Sequence, residues 1–222
     1  HRNTRRQRQM CIRDSLQAYS VIEVSDPKRK KVLAELCADQ VQIHQSPTFL
    51  VFCADLNRDR LAGQLHGVEN FDTDYVEALL IATVDTALVL QNVALAAESH
   101  GLGICMIGAI RIHPKAVGKL LNLPPLVYAV AGLCLGYPAK DQQQKSRLPL
   151  ETILHHERYP EDNQQINHIK GYDQTMVEFY SSQAMHDKDP RWSKVMAART
   201  ARFHERAELD EYLPAVSYTH LT

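Results

Sequence analysis

The chain has 222 residues, of which 45% are hydrophobic and 23% charged, and its formal net charge is −1. That length can bury a sizeable core, and that composition is ordinary for a globular protein. A near-neutral balance excludes a whole-molecule field that draws the protein to nucleic acid or to an anionic membrane. In chain order, "AYSVIEV" reads as a short strand rich in β-branched residues. "SDPKRKKVLAEL" reads as a helix with Asp26 as N-cap, Pro27 at the first helical position and Val32, Leu33 and Leu36 as its buried stripe. "TFLVFCADL" is a near-continuous apolar run of strand length, as expected of a strand covered on both faces. Residues 57–71, with Gly63, Gly67 and Asn70 and little periodicity, read as a loop.

The longest predicted element is "DTDYVEALLIATVDTALVLQNVALAAESHG", capped at Asp72 or Thr73 and ended by Gly101. Apolar residues cover most of its circumference, the pattern of a core or subunit-interface helix. "LGICMIGAI" follows as a strand, "HPKAVGKLLNL" as a helix opened by Pro114, and "LVYAVAGLCLGYP" as another buried strand. After the polar "AKDQQQKSRLP" come two helices. Residues 162–184 carry Ile166, Ile169, Tyr172, Met176 and Phe179 at helical spacing. Residues 190–208 start near Trp192 and carry Arg199, Arg202 and Arg206. No internal repeat is present, and strands mixed with a larger share of helix predict an α+β sandwich.

Cys11, Cys37, Cys53, Cys105 and Cys134 stand singly, four of them in apolar runs and none in a CxxC pair. This predicts free thiols in a reducing, cytoplasmic setting rather than a disulfide framework or a zinc site. No apolar run reaches about 18 residues without polar interruption, so no membrane span is expected. The eleven histidines show no metal-ligand spacing. His155-His156 reads as the cap of a segment end. No nucleophile–base arrangement can be argued from residue order, so no catalytic side chain is assigned. "GLGICMIG" invites a dinucleotide-binding reading but fails it: its glycines follow a helix and enter a strand, where the fingerprint needs the reverse. Gly108 lies at a strand end, where a bulge or the close approach of a flat ligand both account for it. Lys145 and Arg147, two apart in a loop before Pro149, can face one phosphate or stand as solvated charges.

Taken together, "LQAYSVIEV", "FLVFCADLNR", "DTALVLQNVALAAESHGLG", "MIGAIR", "GLCLGYPA", "KSRLP" and "YDQTMVEFY" resemble the flavin-dependent nitroreductase superfamily, and within it the oxygen-insensitive NADPH nitroreductase and flavin reductase branch. The resemblance runs from about Leu16 to Tyr212. It implies an α/β sandwich with a central, mostly antiparallel sheet flanked by helices, in an intertwined homodimer with one FMN in each of two shared sites. By resemblance, Lys145 and Arg147 hold the FMN phosphate. Met106, Ile107, Gly108 and Ala109 form the strand end against the isoalloxazine ring. Gln40 hydrogen-bonds the flavin, and Ser15, Leu16 and Gln17 close a loop that touches phosphate, ribitol and ring. The implied chemistry is ping-pong: NAD(P)H gives hydride to the flavin and leaves, and a nitroaromatic, quinone or free flavin is then reduced. The cofactor does the hard step, so no acid–base dyad is needed.

The resemblance departs at two places. Where relatives carry dinucleotide-binding arginines after "EFY", this chain has "SSQAMHDKDPRW". Gln183 and Lys188 take the equivalent positions, with Arg191 nearby, so both NADPH and NADH use are open. Lys188 and Arg202 are the candidate substrate-binding residues. The second departure is the start, which holds five arginines and no acidic residue in its first thirteen positions. His1, Arg2 and Arg5 of "HRNTR" match a family His-Arg-x-x-Arg motif that reaches FMN. "RQRQMCIRD", however, has no apolar stripe or cap and replaces the helix expected there. Residues 1–14 and 215–222 therefore read as non-native or truncated ends around a domain of residues 15–214. A nucleic-acid-binding arm is the rival reading of the start, and it finds no basic partner surface in the body. A flavin-binding module without turnover is the rival reading of the whole.

Overall fold

The computed structural model describes residues 16–68, 71, 76–139, 144–182 and 189–216. These fall into two compact units. One holds the described residues up to Ala139 and from Arg206 onward, and the other those within Lys140–Glu205.

The first unit is built on a four-stranded sheet: β1 (Tyr19–Val24), β2 (Thr48–Asp55), β3 (Gly103–Ile107) and β4 (Val127–Gly136). The strand order is β1-β2-β4-β3, and every neighbouring pair is antiparallel. β2 shows why a continuous apolar run makes a central strand. Phe49, Val51 and Cys53 enter one core, with Leu33, Ile43, Ile107 and Val117. Leu50, Phe52 and Ala54 face the other side, toward Ala82, Leu90 and Leu133. Between Phe52 and Cys53 the pairing skips from Ala131 to Ala129, so Val130 is an extra residue in β4. That bulge resets the alternation: Ala131 and Val130, adjacent in sequence, both pack on the same side of the sheet.

The first core is covered by α1 (Pro27–Leu36), α2 (Val41–Gln45) and α5 (Pro114–Leu121). Asp26 caps α1 by accepting from Arg29 N–H at 2.8 Å, with Pro27 in its first turn, as expected. The stripe differs in one member: Ala34 is buried beside Leu33, while Val32 is 40% exposed. α2 was not foreseen, because five residues with only Ile43 buried carry no readable period.

The second core lies under α4 (Val76–Ser99), which presents Ala82, Asp85, Thr86, Leu90, Ala94 and Ala97 inward. Asp85 accepts from Ala18 N–H at 3.2 Å, and Thr86 Oγ1 lies 3.2 Å from the Cys53 carbonyl. α4 is long and apolar enough to cross a membrane by length and composition. Those polar ties instead place one of its faces on the sheet. The opposite face leaves Leu80, Val84, Leu88 and Leu95 about half exposed. Gly101, at φ +76°, follows the helix in the left-handed region, as its end required.

Three expectations are corrected by the structure. Residues 57–71 are not wholly loop, because Asn57–Leu65 forms α3. No residue of α3 is buried, so it leaves no apolar stripe to read; its start is fixed by Asp55 Oδ1, which accepts from Asn57 and Arg58 N–H at 3.0 and 3.3 Å. The strand predicted through Ile110 stops at Ile107, and Gly108–Arg111 turn as a 3-10 segment. The helix predicted over 190–208 ends at Thr200, so Arg199, Arg202 and Arg206 share no helical face. Phe203–Arg206 form a 3-10 turn, and α9 (Glu208–Ala215) follows. Tyr212 of α9 is buried against Gly118, where a Cβ would come within 2.5 Å of its hydroxyl oxygen. Just beyond α9, the Val216 carbonyl accepts from Leu126 N–H at 2.9 Å.

The second unit consists of α6 (Leu150–Ile153), α7 (Asp162–Ser182) and α8 (Trp192–Thr200) with their loops. Its buried residues on α7 are Tyr172, Asp173 and Met176. Asp173 accepts from Ser193 N–H at 2.8 Å and from its hydroxyl at 2.5 Å, and Tyr172 meets Trp192 edge-on at 6.0 Å.

Candidate cofactor site

At the end of β3, Ile107 and Ala109 turn their side chains into the core, while Met106 is 45% exposed. Only the backbone of Ile107 and Ala109 is therefore left for a ligand. Gly108 sits between them. A Cβ there would meet nothing closer than Arg111 Nη2 at 3.5 Å, an ordinary contact, and its φ is not in the left-handed region. Packing explains Gly132, whose Cβ would collide with Phe49 at 2.5 Å, but packing does not explain Gly108. A bare backbone at this point suits the approach of a flat ring.

Sequence reading passed over Arg111, although it closes the quoted "MIGAIR". Its half-buried guanidinium donates to the Val130 carbonyl, the bulge residue of β4. Burial, and then the charge of Arg206, lower its pKa from the usual arginine value, yet it stays cationic at any physiological pH. Among the described residues no carboxylate pairs with it.

Leu16 and Gln17 enter β1 at the other edge of the sheet. Gln17 has φ +54°, a conformation rare for a side-chain-bearing residue. A polar clasp holds it: Arg58 donates to the Gln17 carbonyl at 3.0 Å, to the Tyr19 carbonyl at 3.3 Å and to Ser20 Oγ at 3.0 Å. Ser20 in turn donates to the buried Asp55. Because β1 and β3 are the two edge strands, Gln17 and Gly108 stand three strand spacings apart, roughly 14 Å across the sheet. The fold does not bring them together within one chain. Gln40 follows Ala38 and Asp39, which have φ +61° and +51° and turn the chain sharply between α1 and α2. Its half-buried side chain makes no hydrogen bond among the described residues.

In the second unit, Lys145 and Arg147 lie in the extended stretch before α6, both exposed. Lys145 Nζ donates to Tyr180 OH at 2.8 Å and lies 5.1 Å from that ring's centre. Arg147 Nη1 donates to the Lys145 carbonyl at 3.0 Å, and Tyr172 OH donates to the Ser146 carbonyl at 2.8 Å. Neither cation pairs with a carboxylate among the described residues. Two unneutralised cations on a pinned loop of the second unit suit a phosphate, and in the first unit Gly108, which no close contact requires, leaves its backbone open to a flat ring. Arg202 is exposed beyond the end of α8. His1, Arg2, Arg5, Ser15, Gln183 and Lys188 lie outside the described residues.

Comparison with known proteins identifies the class. Residues 15–137 match the model of the nitroreductase family, and residues 145–218 that of the nitroreductase family C-terminal domain. The chain belongs to the nitroreductase family. It is 38% identical over 189 residues to an FMN reductase [NAD(P)H] of Bacillus subtilis, covering 85% of this chain and 76% of that protein. It is 36% identical over 188 residues to an NADPH-flavin oxidoreductase of Vibrio harveyi, covering 84% and 75%. The solved structure of a hypothetical oxidoreductase, YcnD, from Bacillus subtilis superposes with a TM-score of 0.88 at 36% identity, covering 91% of this chain and 82% of that one.

Proposed function

We propose that this protein is an FMN-dependent NAD(P)H oxidoreductase that reduces nitroaromatics, quinones or free flavins in two half-reactions at one site. The observation that carries the reading is the Lys145–Arg147 pair, two cations without carboxylate partners on a loop whose carbonyls are already bonded. In this reading the pair holds the FMN phosphate by charge-assisted hydrogen bonds. Gly108 leaves room for the ring edge, and the backbone of Met106, Ile107 and Ala109 supports it. Arg111, against Gly108, adds positive charge beside the ring, where negative charge accumulates on reduction. Gln40, Leu16, Gln17 and Ser15 contact the flavin, with His1, Arg2 and Arg5 toward its phosphate and N1–O2 edge. Lys188 and Arg202 serve the dinucleotide or the acceptor. FMN, when bound, supplies the hydride acceptor and donor, and the chain's own work is to bind, orient and offset charge.

The acting species in this reading is a homodimer in the cytoplasm. Gln17 and Gly108, on opposite sheet edges of one chain, can line one flavin if each comes from a different copy. The apolar outer face of α4, with Leu80, Val84, Leu88 and Leu95, is the surface a second copy covers. Cys37, Cys53, Cys105 and Cys134 are free, which suits a reducing compartment.

The deciding experiment is the absorbance spectrum of the purified chain before and after FMN, and then after NADPH or NADH. Bound flavin that bleaches with the dinucleotide and recovers with a quinone is the expected result. Bound flavin that never bleaches makes the chain a binding module without turnover. A chain that takes up no FMN ends the reading.

A further inference from the structure

We propose that Tyr180 is a positioning residue for the phosphate of the bound flavin, acting through Lys145, with Tyr172 fixing the same loop from two turns earlier on α7. This rests on the reading above that Lys145 and Arg147 meet the phosphate.

A lysine carries four rotatable bonds, so an exposed lysine aimed at a ligand loses rotamer freedom on binding. Here the freedom is already restricted. Tyr180 OH accepts from Nζ at 2.8 Å, with the ring centre 5.1 Å from the same nitrogen, so the ammonium sits at the hydroxyl end of the ring and the oxygen lone pair is what orients it. An ammonium has three donors, and Tyr180 takes one. The other two stay available to an anion. Tyr180 is neutral, so it orients Lys145 without cancelling its charge, as an aspartate would.

The loop's backbone is held by the same helix. Tyr172, 4% exposed and packed on Trp192, donates to the Ser146 carbonyl at 2.8 Å. The Lys145 carbonyl accepts from Arg147 at 3.0 Å, which turns the guanidinium back along the chain. Eight residues apart, Tyr172 and Tyr180 stand on neighbouring rows of α7. One rigid helix thus sets both the backbone and the cation of the loop, and neither tyrosine needs to touch the ligand.

The test compares Tyr180→Phe, Lys145→Ala and the double variant with the unaltered protein. Affinities for FMN and for riboflavin, which lacks the phosphate, are read by fluorescence quenching. Tyr180→Phe keeps the ring and loses the acceptor. It is expected to weaken FMN roughly five- to tenfold and leave riboflavin unchanged, so the FMN-to-riboflavin ratio falls. In the Lys145→Ala background it is expected to add nothing. An unchanged ratio in Tyr180→Phe, with a lowered one in Lys145→Ala, overturns the role of Tyr180 alone. A ratio unmoved by Lys145→Ala overturns the phosphate assignment beneath it. Tighter FMN binding in Tyr180→Phe means that Tyr180 sequesters Lys145, which also overturns the proposal. Equal losses for FMN and riboflavin mean a purely structural role.

Discussion

The two units are held together by different physics. In the sheet unit, order comes from close packing: Phe49 lies over Gly132, Tyr212 over Gly118, and Phe52 and Leu133 lie under α4. In the helical unit few side chains are buried, and order comes from directed polar contacts such as Asp173 to Ser193, Tyr172 to Ser146 and Lys145 to Tyr180. The difference suits two different kinds of ligand group. A flat ring needs a shaped, rigid backbone edge, which a packed sheet supplies. A phosphate needs oriented charge, which hydrogen-bonded loops supply without burying the cations.

That contrast can be broken by substitution. The largest effect is expected in the polar unit. Lys145→Ala with Arg147→Ala should weaken FMN binding by about 2–4 kcal/mol, two charge-assisted contacts with incomplete additivity, while thermal stability stays near that of the unaltered chain. Titration of the apoprotein with FMN checks this, and unchanged affinity removes the phosphate assignment. In the packed unit, Gly132→Ala should cost about 2–3 kcal/mol of stability, because its Cβ would lie 2.5 Å from a fully buried Phe49 ring that has nowhere to move. A denaturant midpoint near that of the parent would show that the sheet is looser than the packing implies. Asp173→Ala should cost about 1–2 kcal/mol, through loss of the cap that ties α7 to α8. Proteolysis within the second unit is the sensitive readout, and nicking confined elsewhere would count against it.

The smallest effect concerns the thiols. Burial pushes Cys37 and Cys53 up to about 12 and Cys134 to about 11, whereas Cys105 is only half buried and is raised less. The folded chain therefore keeps protons that the unfolded chain releases near pH 8.5. The stability these thiols contribute is full below that pH and declines as pH rises toward about 12. Peptide mapping after maleimide labelling should find Cys105 modified before Cys37, Cys53 and Cys134. Labelling of Cys53 first would contradict the packing of β2.

How much of this was legible in advance depends on the kind of force involved. β2 and β4 were read from their apolar runs, and α1 from Asp26 and Pro27, because burial and capping leave local marks. α3 left none, since it buries nothing and is started by Asp55 from the preceding strand. The short α2 gave too few residues to show a period, and the turn at Gly108–Arg111 was hidden by a sequence that looks like uninterrupted strand. At the site, Lys145, Arg147 and Gly108 could be singled out as candidates, but residue order by itself favours solvated charges for the first two and leaves a bulge open for the third, because partners and clearances have no local mark.

The amino-acid sequence by itself determined the order of the main strands and the long helix, the α+β class and the family, because these follow from hydrophobic period, helix caps and the quoted motifs. Only the tertiary structure decided which glycine is demanded by packing and which is left bare, that Arg111 lies against the bare one, and that Gln17 and Gly108 occupy opposite edges of the sheet. It alone decided that Tyr172 and Tyr180 hold the Lys145–Arg147 loop. Those facts depend on contacts between residues far apart in the chain, and no local pattern encodes which distant side chain will fill a given space.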